Sequence, residues 1–70
     1  MLTTEPLRRL FKKAGAKRVS DDAAKELAKI LADRAKLIAA EAHKLSEISG
    51  RRTVLKKDIK MARRIVEKKG

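Results

Sequence analysis

The stretch "SDDAAKELAKILADRAKLIAAEAHKLSEISG", residues 20–50, contains no proline, and its only glycine is its last residue. Ser20 followed by Asp21 and Asp22 predicts a helix start, because a hydroxyl caps free backbone N–H groups and carboxylates suit the positive end of the helix dipole. Apolar residues then recur with helical spacing at Leu27, Ile30, Leu31, Ala35, Ile38, Ala42, Leu45 and Ile48. The reading is one helix of roughly 28 residues, about 42 Å long, stopped by Gly50. A coiled coil is the rival reading. Its best heptad series, Leu27, Leu31, Arg34, Ile38, Glu41, Leu45, Ile48, places an arginine and a glutamate in the seam, so the heptad fails.

Shorter helices flank this one. Thr3 or Thr4 is placed to cap a first helix with Pro6 in its first turn and Leu7, Leu10, Phe11 and Ala14 on one face, ended by Gly15. A third helix is predicted from about Leu55 to Lys68, with Ile59, Ala62, Ile65 and Val66 inward and Met61 on a flank. The chain is therefore read as all-α: short helix, loop, long central helix, loop, short helix, in a single domain over 1–70. A monomer of 70 residues has a radius of gyration of about 11 Å, hence a diameter of roughly 28 Å. The central helix exceeds that, and a stripe around Ile30, Leu31 and Ile38 is left for a second copy to cover. An obligate dimer is expected.

Composition narrows the partners. Twenty Lys and Arg against nine Asp and Glu give a formal charge of +11, which attracts polyanions. Phe11 is the only aromatic residue, so the stacking platforms that grip single strands are missing and duplex phosphate becomes the leading target. No cysteine is present for disulfides, and the lone His43 cannot build a metal site by itself. No signal-peptide stretch or membrane-spanning apolar run is seen, so the expected location is cytoplasmic. Asp21, Asp22 and Glu26 are explained by a helix N-terminus, and no nucleophile, base and orienting group converge. Neither an enzyme, a cofactor nor a small-molecule substrate is expected.

The two bends, "AGAKRVS" (14–20) and "ISGRRTV" (48–54), set small residues beside cations. Glycine permits close approach of backbone to phosphate, arginine grips phosphate oxygens as a fork, and threonine adds a hydroxyl donor. Val19 and Thr53–Val54 are short enough to pair as two-residue β-bridges, which would bring Lys17, Arg18, Arg51, Arg52 and Thr53 together as phosphate clamps.

Four motifs then carry a family resemblance: "KKAGAKRVSDDA" (12–23), "LAKIL" (27–31), "GRRTV" (50–54) and "KKDI" (56–59). Over roughly residues 6–69 the chain resembles the archaeal histones, small relatives of the eukaryotic core histones. The resemblance implies a histone fold, a head-to-tail homodimer, and a curved surface that wraps and compacts double-stranded DNA of the nucleoid without reading its sequence. By position, Arg18 resembles the first-loop arginine that enters the minor groove, and Arg52 and Thr53 resemble second-loop phosphate contacts. Arg9 and Lys12 resemble those of the first helix. Arg51 and Asp58 resemble a structural pair pinning the second loop to the third helix. Leu45, Ile48, Asp58 and Met61 fall at the dimer–dimer interface, where Ile48 replaces the family's usual histidine and Asp58 is expected to be held by Arg51 within its own chain.

Two alternatives stand beside chromatin architecture. A histone-fold interaction subunit, heterodimerising within a transcription complex, would have no need of Arg18, Arg52 and Thr53 in one chain. A membrane-active amphipathic peptide would gather its cations on one broad polar face, whereas here they occupy both bends and all three helices.

Overall fold

A computed structural model describes residues 4–69, with side chains to residue 68. Three helices follow one another: α1 (Thr4–Lys13), α2 (Asp21–Ile48) and α3 (Lys56–Lys69). The central helix has 28 residues, as its uninterrupted apolar period requires. Thr4 is already helical and so is not the cap of α1; Thr3 lies outside the described residues. Among the described residues there is no strand or bridge. Val19 and Thr53–Val54 are loop, so the expected β-bridges are not formed within one chain, where these short segments have no facing strand.

The backbone divides into two compact units, one up to Asp33 and one from Arg34 onward. Each holds a flanking helix, a loop and one half of α2.

The four helix boundaries that flank the loops have local causes. Both loops open with the same hydrogen-bonded stop: the Gly15 N–H donates to the Lys12 carbonyl and the Ala16 N–H to Phe11, both at 3.0 Å. After α2, the Gly50 N–H donates to Glu47 and the Arg51 N–H to Ser46, both at 2.9 Å. This pairing of crossed bonds needs a residue of positive φ, and Gly15 (103°) and Gly50 (72°) supply it. The start of α2 is capped as read from the sequence, with Ser20 Oγ accepting the Ala23 N–H at 3.0 Å. At α3 the capping position is Leu55, which has no side-chain acceptor. Asp58 Oδ2 instead reaches back to accept the Leu55 N–H at 2.8 Å, one half of a reciprocal capping box.

The buried set is small in volume. In the first unit it is Leu7, Ala24 and Ala28; in the second it is Ala42, Ala62, Ser46 and Asp58. Ala42 and Ser46 stand one turn apart on α2, as do Asp58 and Ala62 on α3, and side chains this short permit close approach of helix backbones. The Ser46 hydroxyl is satisfied inside its own helix, donating to the His43 carbonyl at 2.8 Å.

The large apolar residues are not closed over by one chain. Ile30 and Leu31 are exposed, as expected of the stripe left for a second copy, Leu10, Ile48 and Ile59 are exposed too, and Leu27, Ile38 and Leu45 are half-buried. The inward placement expected for Ile59 is thus not realised in one chain. Leu37, absent from the expected apolar face, is 59% exposed. A core of one leucine and four alanines is too little to hold a domain of this size alone.

The glycine stops generate a prediction. A Cβ at Gly50 would meet open space, so Gly50→Ala isolates the backbone cost of positive φ. We expect it to destabilise by about 1–2 kcal/mol and Gly50→Asn by less, since asparagine tolerates this region. Chemical denaturation measures both; equal losses for the two variants would contradict the assignment.

Candidate nucleic-acid interface

The second loop is organised by one side chain. Arg51 Nη1 donates to Asp58 Oδ2 at 2.8 Å and to the Thr53 carbonyl at 3.0 Å, while Nη2 donates to Asp58 Oδ1 at 2.9 Å. This is a bidentate fork on a carboxylate that also caps α3. Asp58 is only 5% exposed and its oxygens are fully engaged. The Arg51 hydrogen bond, then the Leu55 N–H, then the Arg51 charge lower its carboxyl to about 2 against the opposing effect of burial. The same hydrogen bond pushes the Arg51 guanidinium up. Arg51 is therefore committed to the loop's own structure.

Its neighbours are not. Arg52 and Thr53 are exposed in the loop, and among the described residues Arg52 forms no ion pair.

The first loop repeats this plan with a residue that sequence reasoning passed over. Arg8 Nη1 donates to the Val19 carbonyl at 2.8 Å, and Nη2 pairs with Asp21 Oδ1. In each loop a guanidinium binds one loop carbonyl and one carboxylate in the first turn of the next helix. In each, the bound carbonyl belongs to the residue just after an exposed arginine: Val19 after Arg18, Thr53 after Arg52. Arg18 and Lys17 are exposed, and among the described residues neither forms an ion pair.

Helix phase does not separate the two arginines at 8–9, since Lys12 lies three residues from one and four from the other and shares a face with both. Arg9 is exposed, with Nε 3.9 Å from Glu5 Oε1, a contact too open to hold it firmly. Lys12 is exposed in the last turn of α1. Only the folded geometry shows that Arg8 is the one taken by the loop.

The residues expected at a dimer–dimer surface all lie in the second unit. Ile48 is 79% exposed, Met61 is exposed and Leu45 half-buried, whereas Asp58 is withdrawn into its pair with Arg51. His43, exposed, has Nε2 3.3 Å from Glu47 Oε1 one turn on. Among the described residues no group of three or more His, Cys, Asp or Glu side chains is placed to hold a metal ion. No helix among them is long and apolar enough to cross a membrane.

A family profile described as "Histone-like transcription factor (CBF/NF-Y) and archaeal histone" matches residues 2–62. The chain belongs to this family. A similar protein is one of the subunits of archaeal histone HAN1 from Thermococcus zilligii, 43% identical over 61 residues, which span 87% of this chain and 91% of that protein. The three-helix, strand-free architecture is accordingly the histone fold, a DNA-binding and dimer-forming architecture. In these terms the two loops are the histone loops.

The pH dependence of the Asp58 pair follows in sign. An aspartate in an unfolded chain titrates at about 3.9, so a folded value near 2 contributes stability that is complete above about pH 5. It is lost as the pH falls from about 4 through about 2. The stability gap between the native protein and Asp58→Asn should be flat from pH 7 to 5 and close between about pH 4 and 2 in denaturation series. A gap that stays constant to pH 2 would show the pair to be unimportant.

Proposed function

We propose that this histone-fold chain is a chromatin architectural protein that binds, wraps and compacts duplex DNA without reading its sequence. It acts as a head-to-tail homodimer, associated with the nucleoid, and its dimers associate further along DNA. One observation carries the reading: in each loop a guanidinium is consumed in fixing the backbone, while the neighbouring Arg18 or Arg52 is left exposed and without a carboxylate. Fixed loops with free cations suit phosphate, because the entropy of ordering the loop is spent on folding rather than on binding.

Arg18 is assigned to the minor groove, where a held cation favours narrow A·T-rich segments. Arg52, Thr53, Arg9, Lys12 and Lys17 are assigned to phosphates. These contacts position the duplex but carry no base information.

Homodimerisation is supported by the uncovered apolar surface. Beyond Ile30 and Leu31, the second unit has an open depression of about 510 Å³ lined by Leu37, Ala40, Ile65 and Val66 together with Arg34, Glu41 and Lys44. A second copy burying these side chains supplies the core that one chain lacks. For dimer–dimer association, Ile48 with Leu45 and Met61 offers an apolar patch. Burying one isoleucine is worth about 1.5–3 kcal/mol, comparable to a hydrogen bond to a charged group. Asp58 then contributes by holding α3 in place and not by presenting its carboxylate.

Two outcomes test the proposal. The melting temperature should rise with protein concentration, as mass action demands when folding and dimerisation are one step; a concentration-independent melt of a chromatographic monomer would refute the dimer. DNA affinity should fall with salt with a log–log slope of roughly −5 to −7 for three or four cations per chain. A slope near −1, or strong preference for one site, would point to the interaction-subunit function instead.

A further inference from the structure

The helix α3 carries seven Lys and Arg against two carboxylates, Asp58 and Glu67, and one of those is buried in the clamp of the second loop. At 3.6 residues per turn, Lys56, Lys57, Lys60, Arg63, Arg64 and Lys68 fall within an arc of about 140°, and all six are exposed. The buried Asp58 and Ala62 lie on the opposite side. The stripe runs about 18 Å from Lys56 to Lys68.

This arrangement opposes the stability of its own helix. Lys56 and Lys57 occupy the first turn, where the helix dipole disfavours cations; α2 begins instead with Asp21 and Asp22. Lys56 and Lys60, Lys60 and Arg64, and Arg64 and Lys68 are three successive like-charge pairs four residues apart, a spacing that destabilises helices. Only Arg63 has relief, with Nε 3.8 Å from Glu67 Oε1. Among the described residues the other five form no ion pair. In α1, by contrast, both arginines face a carboxylate.

A helix face with a cationic first turn and three successive like-charge pairs marks a site whose compensation comes from outside the chain. We infer that the outer face of α3 is a second duplex-binding surface, by which the protein holds a neighbouring DNA segment beside the one gripped by its loops. Phosphates along that face supply the anions the helix lacks, and their contacts are sequence-independent. DNA bridging is thereby added to wrapping. The inference rests on the loop-mediated binding proposed above.

The test uses immobilised duplex coated with protein and challenged with a free labelled duplex. Three proteins are compared: native, Lys60→Gln/Arg64→Gln/Lys68→Gln, and a control of equal net charge, Lys25→Gln/Lys29→Gln/Lys36→Gln. Glutamine and lysine have similar helix propensities, so folding is retained. The α3 variant should still coat the first duplex, capture at least about tenfold less of the second, and lose about 2.7 from the salt slope of capture for each α3 face engaged, at about 0.9 per site. Its melting temperature as free protein should equal or exceed the native one, because the repulsive pairs are gone. The control should bridge like the native protein.

Equal loss of bridging in the control would reduce the effect to net charge and overturn the inference. So would unchanged capture by the α3 variant, or weakened coating of the first duplex alone, which would assign the stripe to the same DNA. A native protein that coats the first duplex but captures no second also overturns it, and leaves the loop reading standing. A native protein that fails to coat even the first duplex refutes the loop reading itself. If the native protein bridges no DNA yet retains an acidic polypeptide through α3, the stripe is a protein-docking face and the inference falls.

Discussion

The fork between Arg51 and Asp58 is the constraint on which the second half of the chain depends. One guanidinium and one carboxylate close the loop onto α3, cap that helix at Leu55 and fix the Thr53 carbonyl. The chain enters the fork through a glycine stop that places Arg51 at the end of α2. Remove Arg51 and the carboxylate of Asp58 is stranded in a nearly closed environment, a costlier state than the loss of an exposed pair. Arg8 serves the first loop in the same manner, through a carboxylate, Asp21, that is far more exposed than Asp58. The two loops are thus alike in plan and unequal in the burial of their carboxylates.

This division sorts the cations of a chain with a formal charge of +11. Arg8 and Arg51 are half-buried and bonded to loop carbonyls and carboxylates, whereas Arg9, Arg18 and Arg52 are exposed and are the ones we propose for DNA. On that proposal, the adjacent arginines at 8–9 and at 51–52 perform different tasks. The cationic face of α3 makes a third group, matched inside the described residues only at Arg63 and matched, on our reading, by a second duplex.

The elements were legible in the sequence because their causes are local. Ser20 with Asp21 and Asp22 starts α2, Gly15 and Gly50 stop helices, and an unbroken apolar period spans residues 27–48. The pairing of Arg51 with Asp58 was reached by family resemblance and is seen directly in the geometry. Arg8 was not legible, because its partners lie 11 and 13 residues away and meet it only after α1 folds back on the loop. The core was misjudged at Ile59, and Leu37 was missed, for a different reason. Periodicity marks which face is apolar but not whether its own chain covers it, and here small residues fill the interior while large ones stay open. The β-bridges expected at Val19 and Thr53–Val54 are not formed; the Val19 and Thr53 carbonyls are taken instead by the guanidiniums of Arg8 and Arg51.

On the proposed function, loops fixed by Arg8 and Arg51 present exposed arginines to a duplex that the protein wraps. Nuclease digestion of plasmid DNA saturated with the protein is the deciding experiment. Wrapping around a repeating dimeric unit predicts protected fragments of discrete, regularly spaced lengths, lost in Arg18→Ala/Arg52→Ala while the dimer still folds. A continuous smear, or no protection by the native protein, would contradict it.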